Sequence, residues 1–87
     1  MDWIINDQKL EKTFKVKSFS EAAGIINDIA KIADEADHHP DVRIYGYNRL
    51  TFSLTTHTEG KITEKDEALA KSIDLYFLHY KSTQDRD

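Results

Sequence analysis

The 87-residue chain has no cysteine, a single proline, three glycines and no excess of positive charge. Without cysteine there is neither a disulfide nor a thiolate metal ligand, which fits a reducing compartment and gives the cytoplasm as the expected location. The formal charge of −4 lacks the basic face that phosphate-backbone binding depends on, so direct nucleic-acid binding is not expected, while a protein partner stays open. No apolar run approaches the roughly 20 residues of a membrane span. The acidic start Met1-Asp2 is also unlike the basic opening of a signal peptide. No internal repeat, linker or low-complexity tract divides the chain. What remains is 39% apolar and 32% charged, enough for one core under a well-solvated surface. A single domain over residues 1–83 is expected, with a frayed tail at 84–87.

Trp3-Ile4-Ile5 is aromatic and β-branched, and Asn6-Asp7-Gln8 supplies turn chemistry before a second run in which Leu10, Lys12, Phe14 and Val16 share one face. That period of two predicts a β-hairpin. Lys12 on the apolar face has room to snorkel past the strand edge and is assigned no role. Ser18-Phe19-Ser20-Glu21 is a capping box. From it Ala22, Ile25, Ile26, Ile29, Ala30, Ala33 and Ala36 recur at helical spacing, and Pro40 places the helix end near Asp37 or His38. Val42 to Tyr45 and Leu50 to His57 read as strands around a Gly46-Tyr47-Asn48 turn. Leu50, Phe52 and Leu54 lie on one face, with Thr51, Ser53, Thr55 and His57 on the other. Thr63 opens a second helix with Leu69, Ala70, Ile73, Tyr76, Phe77 and Tyr80 on its buried stripe. The order ββαββα predicts an α+β two-layer domain, a four-stranded antiparallel sheet with both helices on one face. Its open face and edges would meet water or a second subunit.

Chemistry gathers in two places. The helix exit carries Asp34-Glu35-Ala36-Asp37-His38-His39-Pro40, and downstream come Thr55-Thr56-His57 and Asp66. Histidine is the side chain whose charge changes near neutral pH, so three of them brought together suit proton transfer to and from a small molecule. Asp34, one turn before His38, is placed to hold that ring by an i,i+4 contact. Plainer readings exist for each. Asp66 stands three residues after Thr63, where a carboxylate caps a helix. His38 and His39 could simply cap the first helix, and His57 could be an exposed histidine at a strand end. His79, late in the second helix and outside the cluster, reads as structural.

Taken together, Asp34, His38-His39-Pro40, Tyr47, His57 and Asp66 reproduce the full signature of the pterin-4a-carbinolamine dehydratases, and the chain resembles that family from Trp3 to about Asp74. Phe14, Val16, Phe19 and Ala22 resemble its strand-to-helix junction, and Gly60 to Asp74 its Gly-Leu-Thr-x-x-Asp…Leu-Ala…Ile-Asp segment. Three departures stand out. Members commonly begin with a helix ahead of the position of Trp3, and the chain starts past it. Asp34 occupies a position where many members have Glu, with Glu35 beside it. Ile62 replaces the usual Leu, and Lys61 the second Gly of a pair.

The resemblance implies a dehydratase that removes water from a 4a-hydroxytetrahydropterin to give the quinonoid dihydropterin, in recycling of the tetrahydrobiopterin cofactor of aromatic amino-acid hydroxylases, without a metal or other cofactor. By the same resemblance the catalytic group would be His38, His39, His57 and Asp66. His38 and His57 would transfer protons and His39 would hold the pterin. Asp66 would orient an imidazole and favour its charged form, and Asp34 would steady His38. Asp37, His38, His39, Thr55, Thr56, His57 and Thr58 would line the pocket of a homodimer or homotetramer. Two other readings compete. One is a zinc site from three histidines and an aspartate, disfavoured because adjacent side chains in an extended segment point apart. The other is a protein-binding module, since animal members also serve as dimerisation cofactors for a homeodomain transcription factor.

Overall fold

The computed structural model describes residues 2–85, with their side chains through residue 80. Strands β1 (Ile4–Asn6) and β2 (Lys9–Lys15) are followed by helix α1 (Phe19–Ala36), strands β3 (Asp41–Tyr45) and β4 (Arg49–Leu54), and helix α2 (Glu64–Asp85). The strands form one antiparallel sheet in the order β1-β2-β4-β3. The α+β architecture is the one expected from the ββαββα pattern. The tail expected at 84–87 falls on the last residues of α2 and beyond, outside the described side chains.

Local chemistry accounts for the element ends. Asn6 pairs with Lys9, so only Asp7 and Gln8 make the first turn, and both take positive φ (54° and 60°), the type I′ geometry that matches strand twist. At the start of α1 the Ser18 hydroxyl accepts the Glu21 N–H at 3.0 Å, while the Glu21 carboxylate accepts the Lys17 N–H at 2.7 Å, one residue earlier than in the usual capping box.

Alternation sorts the sheet into two faces. Leu10, Val16, Leu50, Phe52 and Leu54 are buried under Ala22, Ile25 and Ile29 of α1 and Leu69, Ala70, Ile73 and Phe77 of α2. Burying an aliphatic or aromatic side chain of this size contributes about 1.5–3 kcal/mol, so this one cluster carries most of the stability. Phe14 stacks on Phe77 with ring centroids 3.8 Å apart, and Phe52 meets Phe77 edge-on. The α1 stripe is narrower than its periodicity suggests. Ala30 and Ala36 are exposed, and Ile32 is the half-buried residue instead. Lys12, for which the sequence offered no role, reaches Asp74 of α2 at 2.9 Å, and the Trp3 indole N–H donates to the same carboxylate. Tyr76 closes the two helices by donating to Asp28 at 2.6 Å.

Strand β4 is shorter than its apolar alternation predicts. It ends at Leu54, not His57, because its neighbours run out: β2 pairs only as far as Leu10 opposite Leu54, and β3, which begins after Pro40, only as far as Asp41 opposite Ser53. Beyond that point Thr55 and Thr56 are both buried, which a continuing strand would forbid. The chain then closes a tight turn in which the N–H groups of Glu59 and Gly60 donate to the Thr56 carbonyl, and Thr56 bridges to Lys61. Gly60 supplies the positive φ (65°) that this turn needs.

Candidate active site

The site begins at the end of α1. Asp37 adopts the left-handed conformation (φ 52°, ψ 40°). Its N–H donates to the Asp34 carbonyl and that of His38 to the Ala33 carbonyl, each at 3.2 Å, the crossed pair of bonds of a Schellman ending. The chain therefore leaves the helical path before His38, and the expected i,i+4 contact from Asp34 to His38 does not form. Asp34 Oδ1 instead lies 2.8 Å from His39 Nε2, while His38 Nε2 lies 2.6 Å from Asp66 Oδ1. The two adjacent imidazoles thus go to different carboxylates. The His38 side chain is 13% exposed and that of Asp66 0%, against 58% and 74% for His39 and Asp34.

Asp66 sits in the first turn of α2, where one carboxylate both caps the helix and meets an imidazole. Its Oδ2 accepts the Thr63 N–H at 2.8 Å, and the Thr63 hydroxyl accepts the Lys65 N–H at 3.3 Å, which together cap the helix. The same Oδ2 accepts the Thr56 hydroxyl at 2.8 Å, leaving Oδ1 for His38. Burial pushes the Asp66 carboxyl up, but the hydrogen bonds from His38, the Thr63 N–H and the Thr56 hydroxyl outweigh it and hold the group below its ordinary range. A fully buried carboxylate is thereby kept ionised against an imidazole, and the helix N-terminus adds its partial positive charge.

These parts converge on a cavity of about 260 Å³ lined by Asp37, His38, His39, Thr55, Thr56, His57, Thr58 and Lys65. It gathers all seven residues expected to line a pocket, from the end of α1 and the loop after β4. His57 is exposed, at the first position of the turn, and Asp34 stands behind His39. The volume is just under the low end of about 300 Å³ for small-molecule sites, a size for a ring system more than for an extended ligand. Lys65 was not singled out from the sequence. Its signal was a cation at the second position of a helix whose first turn is otherwise acidic, with Glu64, Asp66 and Glu67, where the dipole disfavours positive charge. His79 lies on an exposed stretch of α2 and does not line the cavity. Among the described residues no three His, Cys, Asp or Glu side chains come together as a metal-binding group. The cavity thus brings one half-buried imidazole, held by a buried carboxylate, together with two exposed ones.

The family model described as pterin 4 alpha carbinolamine dehydratase matches residues 1–76. The chain belongs to this family. A family relative from Sulfolobus acidocaldarius, provisionally named a pterin-4-alpha-carbinolamine dehydratase, is 52% identical over 71 residues, covering 82% of this chain and 77% of the relative. A Picosynechococcus protein with the same provisional name is 44% identical over 73 residues, covering 84% and 78%. Among solved structures, a transcriptional coactivator/pterin dehydratase from Brucella melitensis superposes with a TM-score of 0.75 at 35% identity, over 84% of this chain and 79% of that one. A pterin dehydratase-like protein described as a RuBisCO assembly factor shares the fold, with a TM-score of 0.67 at 20% identity over 86% and 88%. The names of these relatives are those of a dehydratase family, with a coactivator and an assembly factor among the similar structures. Among its described residues no helix is long and apolar enough to cross a membrane.

Proposed function

We propose that this chain dehydrates 4a-hydroxytetrahydropterins to quinonoid dihydropterins, as in tetrahydrobiopterin recycling, by histidine acid-base catalysis without a metal. The observation that carries the proposal is a single cavity walled by His38, His39 and His57, in which one imidazole is backed by a buried ionised carboxylate. In the reaction the C4a–O bond breaks, a C4a=N5 double bond forms, the 4a-hydroxyl leaves as water with one added proton, and N5 gives up its proton. A positioned acid and base each contribute about 10²- to 10⁴-fold. His38 is the better base, because Asp66 stabilises the imidazolium that forms when it takes the N5 proton. Nε2–H is committed to Asp66, so the accepting atom is Nδ1. His57 protonates the leaving hydroxyl from the mouth of the cavity. His39, tethered to Asp34, holds the ring together with the backbone of Asp37 and of Thr55 to Thr58. Exposed Ile4 and Ile5 on the outer strand and Leu75 and Leu78 on α2 support assembly into a homodimer or homotetramer.

The test follows enzymatically generated 4a-hydroxytetrahydropterin by absorbance in chelator-treated buffer, with wild type and the His38→Ala, His57→Ala double variant. Turnover that survives chelation and disappears in the double variant supports the proposal. A folded wild type that gives no acceleration over buffer defeats it, and leaves partner binding through the exposed apolar side chains as the reading to pursue.

A further inference from the structure

We infer that the hydroxyls of Thr56 and Thr63 are positioning groups for His38: together they commit Asp66 to accept, and so decide which imidazole nitrogen carries the proton. The inference rests on the dehydratase reading for its effect on rate, and on geometry alone for its effect on His38.

The argument is a count of hydrogens. A threonine hydroxyl has one hydrogen and two lone pairs. The Thr56 hydroxyl gives its hydrogen to Asp66 Oδ2 at 2.8 Å, so across the 2.6 Å contact between the two hydroxyls Thr63 must be the donor. The Thr63 oxygen in turn accepts from the Lys65 N–H, so a line of donors runs from the backbone of α2 through Thr63 and Thr56 to Oδ2, where the Thr63 N–H also points. Oδ2 receives two hydrogens and has no place for a third. A proton on Oδ2 would turn against the donors already there, and one on Oδ1 would reverse the His38 bond and leave a neutral acid under the two donors at Oδ2, which favour the carboxylate and hold the group below its ordinary range. Asp66 is therefore held as a pure acceptor, and the 2.6 Å contact with His38 requires a hydrogen on Nε2. Neutral His38 is confined to the tautomer that leaves Nδ1 basic.

The arrangement also ties the two halves of the cavity together. Thr56 is buried and directly precedes His57, and its backbone carbonyl anchors the turn that carries that histidine. A shift of this loop that moved His57 would pull the Thr56 hydroxyl from Asp66. The plainer roles, a helix cap for Thr63 and a filled core position for Thr56, ask only for stability and leave the tautomer of His38 indifferent.

The test uses the full chain with ¹⁵N-labelled histidine, as wild type, Thr56→Val, Thr63→Val and the two corresponding serine variants. Imidazole ¹⁵N shifts report the His38 tautomer, and steady-state kinetics report kcat and KM separately. Thr56→Val is expected to mix the two His38 tautomers and lower kcat about tenfold, Thr63→Val to do the same with about threefold, each with KM changed less than about twofold. The serine variants are expected to recover most of the loss, because they restore the hydrogen and not the methyl. The inference is overturned if the His38 ¹⁵N pattern is the same in wild type and both valine variants, or if serine loses as much as valine. Should Thr56→Val fail to fold, the Thr63 pair decides by the same criteria. Should wild type show no dehydration, the rate reading falls with the proposed function, and the ¹⁵N pattern still upholds or overturns the positioning role.

Discussion

His38 and His39 are neighbours in the chain, each bonded through Nε2 to an aspartate, yet the two pairs lie in opposite electrostatic regimes. His38 and Asp66 meet at 2.6 Å out of solvent, and His39 and Asp34 meet at 2.8 Å in it. An exposed pair of this kind is worth about 0–1 kcal/mol, because water screens the attraction and the side chains lose freedom to make it. The buried pair is a different object. Its carboxylate has lost its hydration and depends on three donors in the protein, His38, the Thr56 hydroxyl and the Thr63 N–H, so its value is in direction and charge state rather than in net attraction. Distance alone does not separate a tether from a catalytic pair. Burial and the number of other partners do.

The largest expected effects come from the buried pair and from His57, the exposed histidine across the cavity. His38→Ala or His57→Ala is expected to lower dehydration turnover by about 10²- to 10⁴-fold, the range for losing a positioned acid or base, measured with the fold checked by circular dichroism. Asp66→Ala is expected to cost about 3 kcal/mol of stability, because it strands the Thr56 hydroxyl and the Thr63 N–H as well as His38, and urea denaturation would read this directly. A change of comparable size on removing Asp34 would erase the contrast.

Acid titration tests the buried pair by sign. Asp66 is held below its ordinary range in the folded chain, so it binds fewer protons folded than unfolded. Its contribution is fully present above the unfolded value of about 3.9, and is lost as pH falls through the lower folded value. Melts of wild type against Asp66→Asn should therefore converge as pH falls below that point and diverge above it. Parallel curves would show that the carboxylate is not preferentially ionised in the fold.

Asp34→Ala is expected to have the smallest effect, under about 1 kcal/mol in stability and about threefold in kcat/KM, with the difference shrinking in high salt. Measuring both at low and high ionic strength would sharpen the comparison, since the Asp66 effect should be almost insensitive to salt.

Much of this was legible in the chain. Period-two alternation in Leu10 to Val16 and Leu50 to Leu54, and the Ser18 and Thr63 caps, located the strands and both helix starts because each is decided by interactions within a few residues. The seven residues that line the cavity were reached only through the family resemblance that Asp34, His38-His39-Pro40, Tyr47, His57 and Asp66 carry, not from periodicity or spacing. The errors come from extending a local period. The strand was carried to His57 past the end of its neighbours, the Asp34 to His38 contact was carried past the left-handed end of α1 at Asp37, and Ala30 and Ala36 were placed on a stripe wider than the face of α1 that packs. Lys65 was missed because a lysine between Glu64 and Asp66 reads as solvated surface until the loop after β4 is seen beside it.

By itself the sequence determined the order of the elements, the α+β class, the helix ends and the set of residues available for proton transfer, since propensity, capping and periodicity act at short range. Only the tertiary structure decided which imidazole meets which carboxylate. That choice depends on a left-handed turn at Asp37 and on the end of α1 meeting the start of α2. Burial and its three donors then keep the Asp66 carboxylate ionised against His38, while the other pair is left to water.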